Sequence, residues 1–121
     1  MNHNQIIGRF GEDMAEKFLV KNGYKIIGRN IKTSYKEIDI VALKDGCLSF
    51  IEVKTRTSDK FGLAEEAVGA GKLNSLKKAV GKYLTAAGNK IKYADVSLDL
   101  VAIDLDKEKK IASIKHYQGI A

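Results

Sequence analysis

Proline and tryptophan are absent from the 121 residues, histidine occurs only as His3 and His116, and there is a single cysteine, Cys47. One cysteine permits neither a disulfide framework nor a four-cysteine zinc site. The two histidines lie near opposite ends with no metal-ligand spacing, and no Ser-His-Asp arrangement can be argued. The glycines are scattered and no low-complexity or repeated segment occurs, so no linker divides the chain. One domain over residues 1–121 is expected. No apolar run approaches the roughly 18 residues needed to span a bilayer. The opening Met-Asn-His-Asn-Gln also lacks the basic and apolar regions of a secretory signal. A cytoplasmic protein with no membrane partner is the expectation. Gly69-Ala70-Gly71-Lys72 lacks the Gly-x4-Gly-Lys-Ser/Thr spacing of a phosphate-binding loop.

What the chain has in excess is positive charge. Lys+Arg is 21 against Asp+Glu 15, a formal net charge of +6, which favours a polyanionic partner without specifying one. Hydrophobic periodicity then orders the elements. Residues 4–21 read as a helix with Ile7, Gly11, Met14, Ala15 and Phe18 on one face. Asn22-Gly23 is a natural stop, since both residues tolerate the left-handed conformation. A short strand over 24–29 follows. Segments 37–43 and 48–55 alternate as strands around Lys44-Asp45-Gly46-Cys47, and Asp-Gly is a strong hairpin signal. A second helix over 69–87 carries Leu76, Val80, Tyr83 and Ala87 on its apolar face, with Gly69 and Gly71 weakening its first turn. Strands over 95–104 and 110–116 complete the order α-β-β-β-α-β-β. The fold class is α/β in the mixed α+β sense: a central sheet of about five strands with helices packed on it.

The hairpin makes a geometric prediction. With Asp45-Gly46 at the centre of the turn, Lys44 faces Cys47, Asp39 falls opposite Glu52, and Glu37 falls opposite Lys54. Directly opposed residues share a face with Cα atoms about 4.5–5.5 Å apart. Two facing carboxylates repel, and a divalent cation would relieve them. Mg²⁺ takes oxygen ligands, often one or two carboxylates plus waters and phosphate oxygens. Lys54 follows Glu52 by two residues on the same face, where an ammonium can steady a scissile phosphate or orient a water. These are parts for metal-assisted phosphodiester hydrolysis. The same four residues also fit a solvated ladder of cross-strand ion pairs. Against that, both faces of each strand are otherwise apolar, with Val41, Leu43, Leu48 and Phe50 on one and Ile38, Ile40, Ile51 and Val53 on the other. Strands of that kind are usually central. At this point both readings stand.

Two helical residues are further candidates. Glu12 flanks the first helix's apolar stripe, one turn after Gly8, and Gly8 and Gly11 permit close approach to another element. It either reaches the carboxylate pair or is a surface carboxylate favoured near a helix N-terminus. Lys72 falls about 40° from Leu76 at 100° per residue, inside the second helix's apolar sector. It either snorkels along its stem or reaches a phosphate.

Gly8-Arg9-Phe10-Gly11-Glu12, Glu37-Ile38-Asp39-Ile40-Val41 and Phe50-Ile51-Glu52-Val53-Lys54-Thr55-Arg56 resemble the YraN family of predicted bacterial endonucleases. The resemblance continues through Phe61-Gly62, Ala67-Val68, Lys72 and Leu98-Asp99-Leu100-Val101-Ala102. That family is placed with the restriction-endonuclease-like PD-(D/E)xK fold, near archaeal Holliday junction resolvases. The resemblance implies that Asp39 and Glu52 hold Mg²⁺ or Mn²⁺, with the Val53 carbonyl as a further ligand. Lys54 would position the attacking water, and Glu12 would support the metal site. Arg56 and Lys72 would contact nucleic-acid phosphates. One departure is visible: Lys36 stands where the family usually has glycine. The implied function is a metal-dependent DNA endonuclease, structure-selective for branched or junction DNA. A homodimer is implied by analogy with the resolvases. The alternatives are a non-catalytic nucleic-acid-binding module on the same basic surface, and a structural protein docking on an acidic partner or a membrane surface, the last disfavoured by the absence of a cationic helix with large exposed aromatics.

Overall fold

The structure is a computed structural model describing residues 1–57, 70–106, 108 and 111–121. Phe61-Gly62, Ala67-Val68, Gly69 and Lys110 lie outside the described residues. The observed order is α1 (His3–Lys21), β1 (Lys25–Ile31), β2 (Ile38–Lys44), β3 (Cys47–Arg56), α2 (Ala70–Ala87), β4 (Asp95–Asp106) and β5 (Ile111–Tyr117). The element order matches the sequence reading. The five strands form one sheet in the order β1-β2-β3-β4-β5. Neighbours are antiparallel except β3 and β4, which run parallel. A parallel pair needs a long crossover, and the segment containing α2 supplies it.

Local chemistry sets the boundaries. Asn2 caps α1 through its side chain, which accepts from the Gln5 N–H at 2.8 Å, while Gln5 reaches back to the Asn2 N–H at 3.0 Å. This reciprocal pair satisfies two donors that a helix start leaves orphaned. At the other end, Gly23 adopts φ +91° and the Tyr24 N–H returns to the Leu19 carbonyl. Asp45 and Gly46 both have positive φ, 50° and 77°, as a two-residue hairpin turn of the primed type requires.

Alternation along β2 and β3 divides the core between two faces. Ile40, Ala42 and Ile51 pack with Ala15 and Leu19 of α1, together with Val101 and Ile103. Val41, Leu48 and Phe50 pack with Leu76, Ala79 and Val80 of α2. The central strands are thus apolar on both faces because a helix covers each one. At one end of the α1 face, Asp99, almost fully buried, accepts from the Gly119 N–H at 3.1 Å and contacts His116 Nε2 at 2.7 Å and the Ser97 hydroxyl. Tyr24 sits edge-on to the His116 ring and accepts from Gln118 at 3.1 Å. The start of β1 is thereby tied to the end of β5.

Candidate active site

The β2–β3 pairs run from Lys44↔Cys47 to Ile40↔Ile51, in the register the Asp-Gly turn dictates. Beyond Ile51 the two strands part. β3 continues to Arg56 paired with β4, so from Glu52 onward its β2-facing edge is open among the described residues. Asp39 takes over where the main-chain ladder ends: its Oδ2 accepts from the Val53 N–H at 2.8 Å. In a strand, a residue's N–H and C=O point toward the same neighbour, so the Val53 carbonyl faces the Asp39 side as well.

The electrostatics follow from this placement. Burial first, then the facing Glu52 carboxylate, pushes the Asp39 carboxyl up to about 7. Glu12 adds to the rise, while the Val53 N–H and the Lys36 ammonium oppose it. Glu52 and Glu12 thus both act on Asp39. Glu12 itself is 3.5 Å from Arg29, which also holds Asp13 at 2.8 Å and Glu16 at 3.7 Å. Arg29 went unrecognised in the sequence because nothing local pairs a β1 arginine with three carboxylates one helix away.

Gly11 lets α1 lie against this open half of β3. A Cβ at Gly11 would run into the Thr55 side chain. Gly8 has nothing within 4 Å of such a Cβ, so only one of the two glycines serves close approach. Gly8 instead lines an open cavity of about 440 Å³, together with Asn4, Glu12, Val53, Lys54 and Thr55. Asp39 and Glu52 are not among its lining residues.

Other expected residues are placed differently. Glu37 is exposed and lies outside β2, so the Glu37–Lys54 pair does not form. β2 begins at Ile38, which pairs with Ile31 of β1, so Glu37 precedes the strand. Arg56 is gripped by Asp104, Nε to Oδ1 at 2.7 Å and Nη2 to Oδ2 at 3.0 Å, a fork-on-carboxylate geometry. Lys72 is exposed on the first turns of α2, not turned inward. A flexible four-carbon stem carries its charge to water even from an apolar sector. Lys36, the departure from the family pattern, places Nζ 2.9 Å from Glu52 Oε2. That contact falls on a proposed ligand.

The donor set suits a hard cation: two carboxylates, one aimed carbonyl, all oxygen. Among the described residues no three His, Cys, Asp or Glu side chains form a ready-made cage. An oxygen site with two carboxylates fits Mg²⁺ or Mn²⁺, which retain waters and complete their shell on substrate, better than zinc.

Fold and site together define a small mixed α+β protein with an acidic pair and a lysine at the open half of its central strand. The chain belongs to the family described as "Uncharacterised protein family UPF0102", whose model matches residues 11–103. It is similar to the UPF0102 protein of Syntrophomonas wolfei, 42% identical over 106 residues, covering 88% of this chain and 90% of that one. The UPF0102 protein of Chloroherpeton thalassium is 41% identical over 112 residues, 93% of this chain and 85% of that one. That of Caldicellulosiruptor bescii is 40% identical over 114 residues, 94% of each. The matched span includes Glu12, Asp39, Glu52, Val53, Lys54, Arg56 and Lys72.

Proposed function

We propose that this chain is a metal-dependent DNA endonuclease with a restriction-endonuclease-like core, working in the cytoplasm on branched or junction DNA. The observation that carries the reading is the placement of Asp39 against Glu52 where β2 and β3 part, with Lys54 two residues further along β3. Asp39, Glu52 and the Val53 carbonyl would hold Mg²⁺ or Mn²⁺. Such an ion, when bound, supplies Lewis-acid stabilisation of phosphate charge. Lys54 has no ion-pair partner among the described residues, so its three donors are available to orient an attacking water and meet charge developing on the phosphate. Glu12, braced by Arg29, keeps negative charge beside Asp39 and so favours a bound cation. Arg56 contributes through the Asp104 pair, which fixes the end of β3, and Lys72 offers an exposed charge to the DNA backbone.

The test is a calorimetric titration of Mg²⁺ and Mn²⁺ into wild type and Asp39→Ala, with and without branched DNA, followed by a cleavage assay. Asp39→Ala is expected to lose metal binding and cleavage together. Cleavage persisting in a clean Asp39→Ala preparation would sink the assignment. A second reading, a nucleic-acid-binding module without hydrolysis, is favoured by the Lys36 ammonium already seated on Glu52. DNA binding with no metal binding under any condition is its signature.

A further inference from the structure

Lys36 is held in place before its side chain begins. The Thr33 hydroxyl donates to the Lys36 carbonyl at 2.7 Å and lies 3.2 Å from the Tyr35 N–H and 3.1 Å from the Lys36 N–H. A threonine bonding to its own loop in this way fixes the local backbone. The lysine stem therefore leaves a fixed origin and delivers Nζ to 2.9 Å from Glu52 Oε2. Both side chains are largely out of water, 22% and 15% exposed. Lys36 also pulls on Asp39, opposing the rise that burial and Glu52 impose.

An ammonium is a compact point charge with three donors. Here it gives the carboxylate pair one positive charge on a tether. Glu52 is then the object of two claims, one by Lys36 at Oε2 and one by a divalent cation, and repulsion between like charges sets each against the other. A polyanion arriving at the site changes the balance, because its phosphate oxygens offer the ammonium another partner.

We infer that Lys36 is a tethered competitor for the cation position on Glu52, drawn off by substrate phosphates, so that DNA and metal bind cooperatively. This rests on the nuclease reading above. Coupling of this kind is reciprocal: DNA tightens metal binding by the same factor that metal tightens DNA binding.

Lys36→Met keeps the stem and removes the charge, while Lys36→Arg keeps a charge. The probe is Mn²⁺, titrated calorimetrically into each protein, alone and with a branched duplex carrying phosphorothioate linkages that resist cleavage. In wild type, DNA is expected to tighten Mn²⁺ binding by about tenfold. Lys36→Met should bind Mn²⁺ about tenfold more tightly than wild type without DNA, and gain little when DNA is added. Lys36→Arg should retain the DNA effect. Metal-free Lys36→Met should also melt below wild type, and Mn²⁺ should raise its melting temperature by more, which checks that the variant folds and that Glu52 has lost its counter-ion. Equal Mn²⁺ affinities in wild type and Lys36→Met, with the DNA effect unchanged, would overturn the inference and leave the nuclease reading standing. No Mn²⁺ binding by any of the three proteins, with or without DNA, would remove the metal reading and the inference with it.

Discussion

Ionising Asp39 in the folded chain sets a second negative charge against Glu52, in a place where water cannot disperse it. Below about pH 4 the carboxyl is neutral whether the chain is folded or not. Between there and about 7 the unfolded chain ionises while the folded one keeps its proton, so stability falls as pH rises. Above that range both forms are ionised and the loss levels out. Asp39→Asn keeps an acceptor for the Val53 N–H and removes the charge. In metal-free urea denaturation the variant is expected to be more stable than wild type at pH 8, by roughly 2–4 kcal/mol. The difference should vanish near pH 4; a difference independent of pH would mean that the carboxyl is not perturbed. Lys54 makes a different prediction on the nuclease reading, because among the described residues it has no ion-pair partner to lose. Lys54→Ala should keep its melting temperature and Mn²⁺ affinity while cleavage drops by about 10²-fold or more. A parallel loss of metal affinity would instead make Lys54 a support of the site.

The packing of α1 on β3 depends on a missing side chain. Gly11→Ala puts a methyl group into Thr55, whose β-branched side chain has little freedom to yield. The expected cost is about 1–3 kcal/mol. Gly8→Ala meets open space and should stabilise by about 0.5–1 kcal/mol, since alanine loses less entropy in a helix. Denaturant midpoints for the two variants should therefore move in opposite directions. The two glycines read alike in the sequence, because helical spacing tells which face a residue occupies and not what stands opposite. The same limit explains the rest. The β2–β3 register from Lys44↔Cys47 to Ile40↔Ile51 was legible, since a two-residue Asp-Gly turn leaves no freedom between strands; that the ladder stops one pair short of Asp39 and Glu52 was not. Arg29 under Glu12, Lys36 on Glu52 and Asp104 on Arg56 were not, because each joins elements whose separation only tertiary packing sets. Of the two courses open to Lys72, the exposed side chain fits snorkelling, since a long stem carries its charge to water even from an apolar sector.

At the scale of the molecule, the described helices include none long and apolar enough to cross a membrane. The Asp99–His116–Tyr24 cluster links the beginning of the sheet to its last strand. Between those ends the strand pairs differ in how far apart in sequence their members lie. β2 and β3 meet across two residues, whereas the parallel contact of β3 with β4 waits for the whole crossover, since Cys47 pairs with Asp95. Closing the larger loop carries the greater entropy cost, so the hairpin is expected to form first and to serve as the template on which β4 docks. In stopped-flow chevrons, Gly46→Ala, which strains the turn at φ +77°, should mainly slow folding. Ile103→Val, in the buried middle of β4, should mainly speed unfolding. The reverse pattern would place β4 in the nucleus. If the hairpin leads, Asp39 and Glu52 are brought together before most of the core exists. Their repulsion is then a barrier to folding as well as a strain on the native state, and a cation able to bridge them would hasten folding as well as stabilise its product.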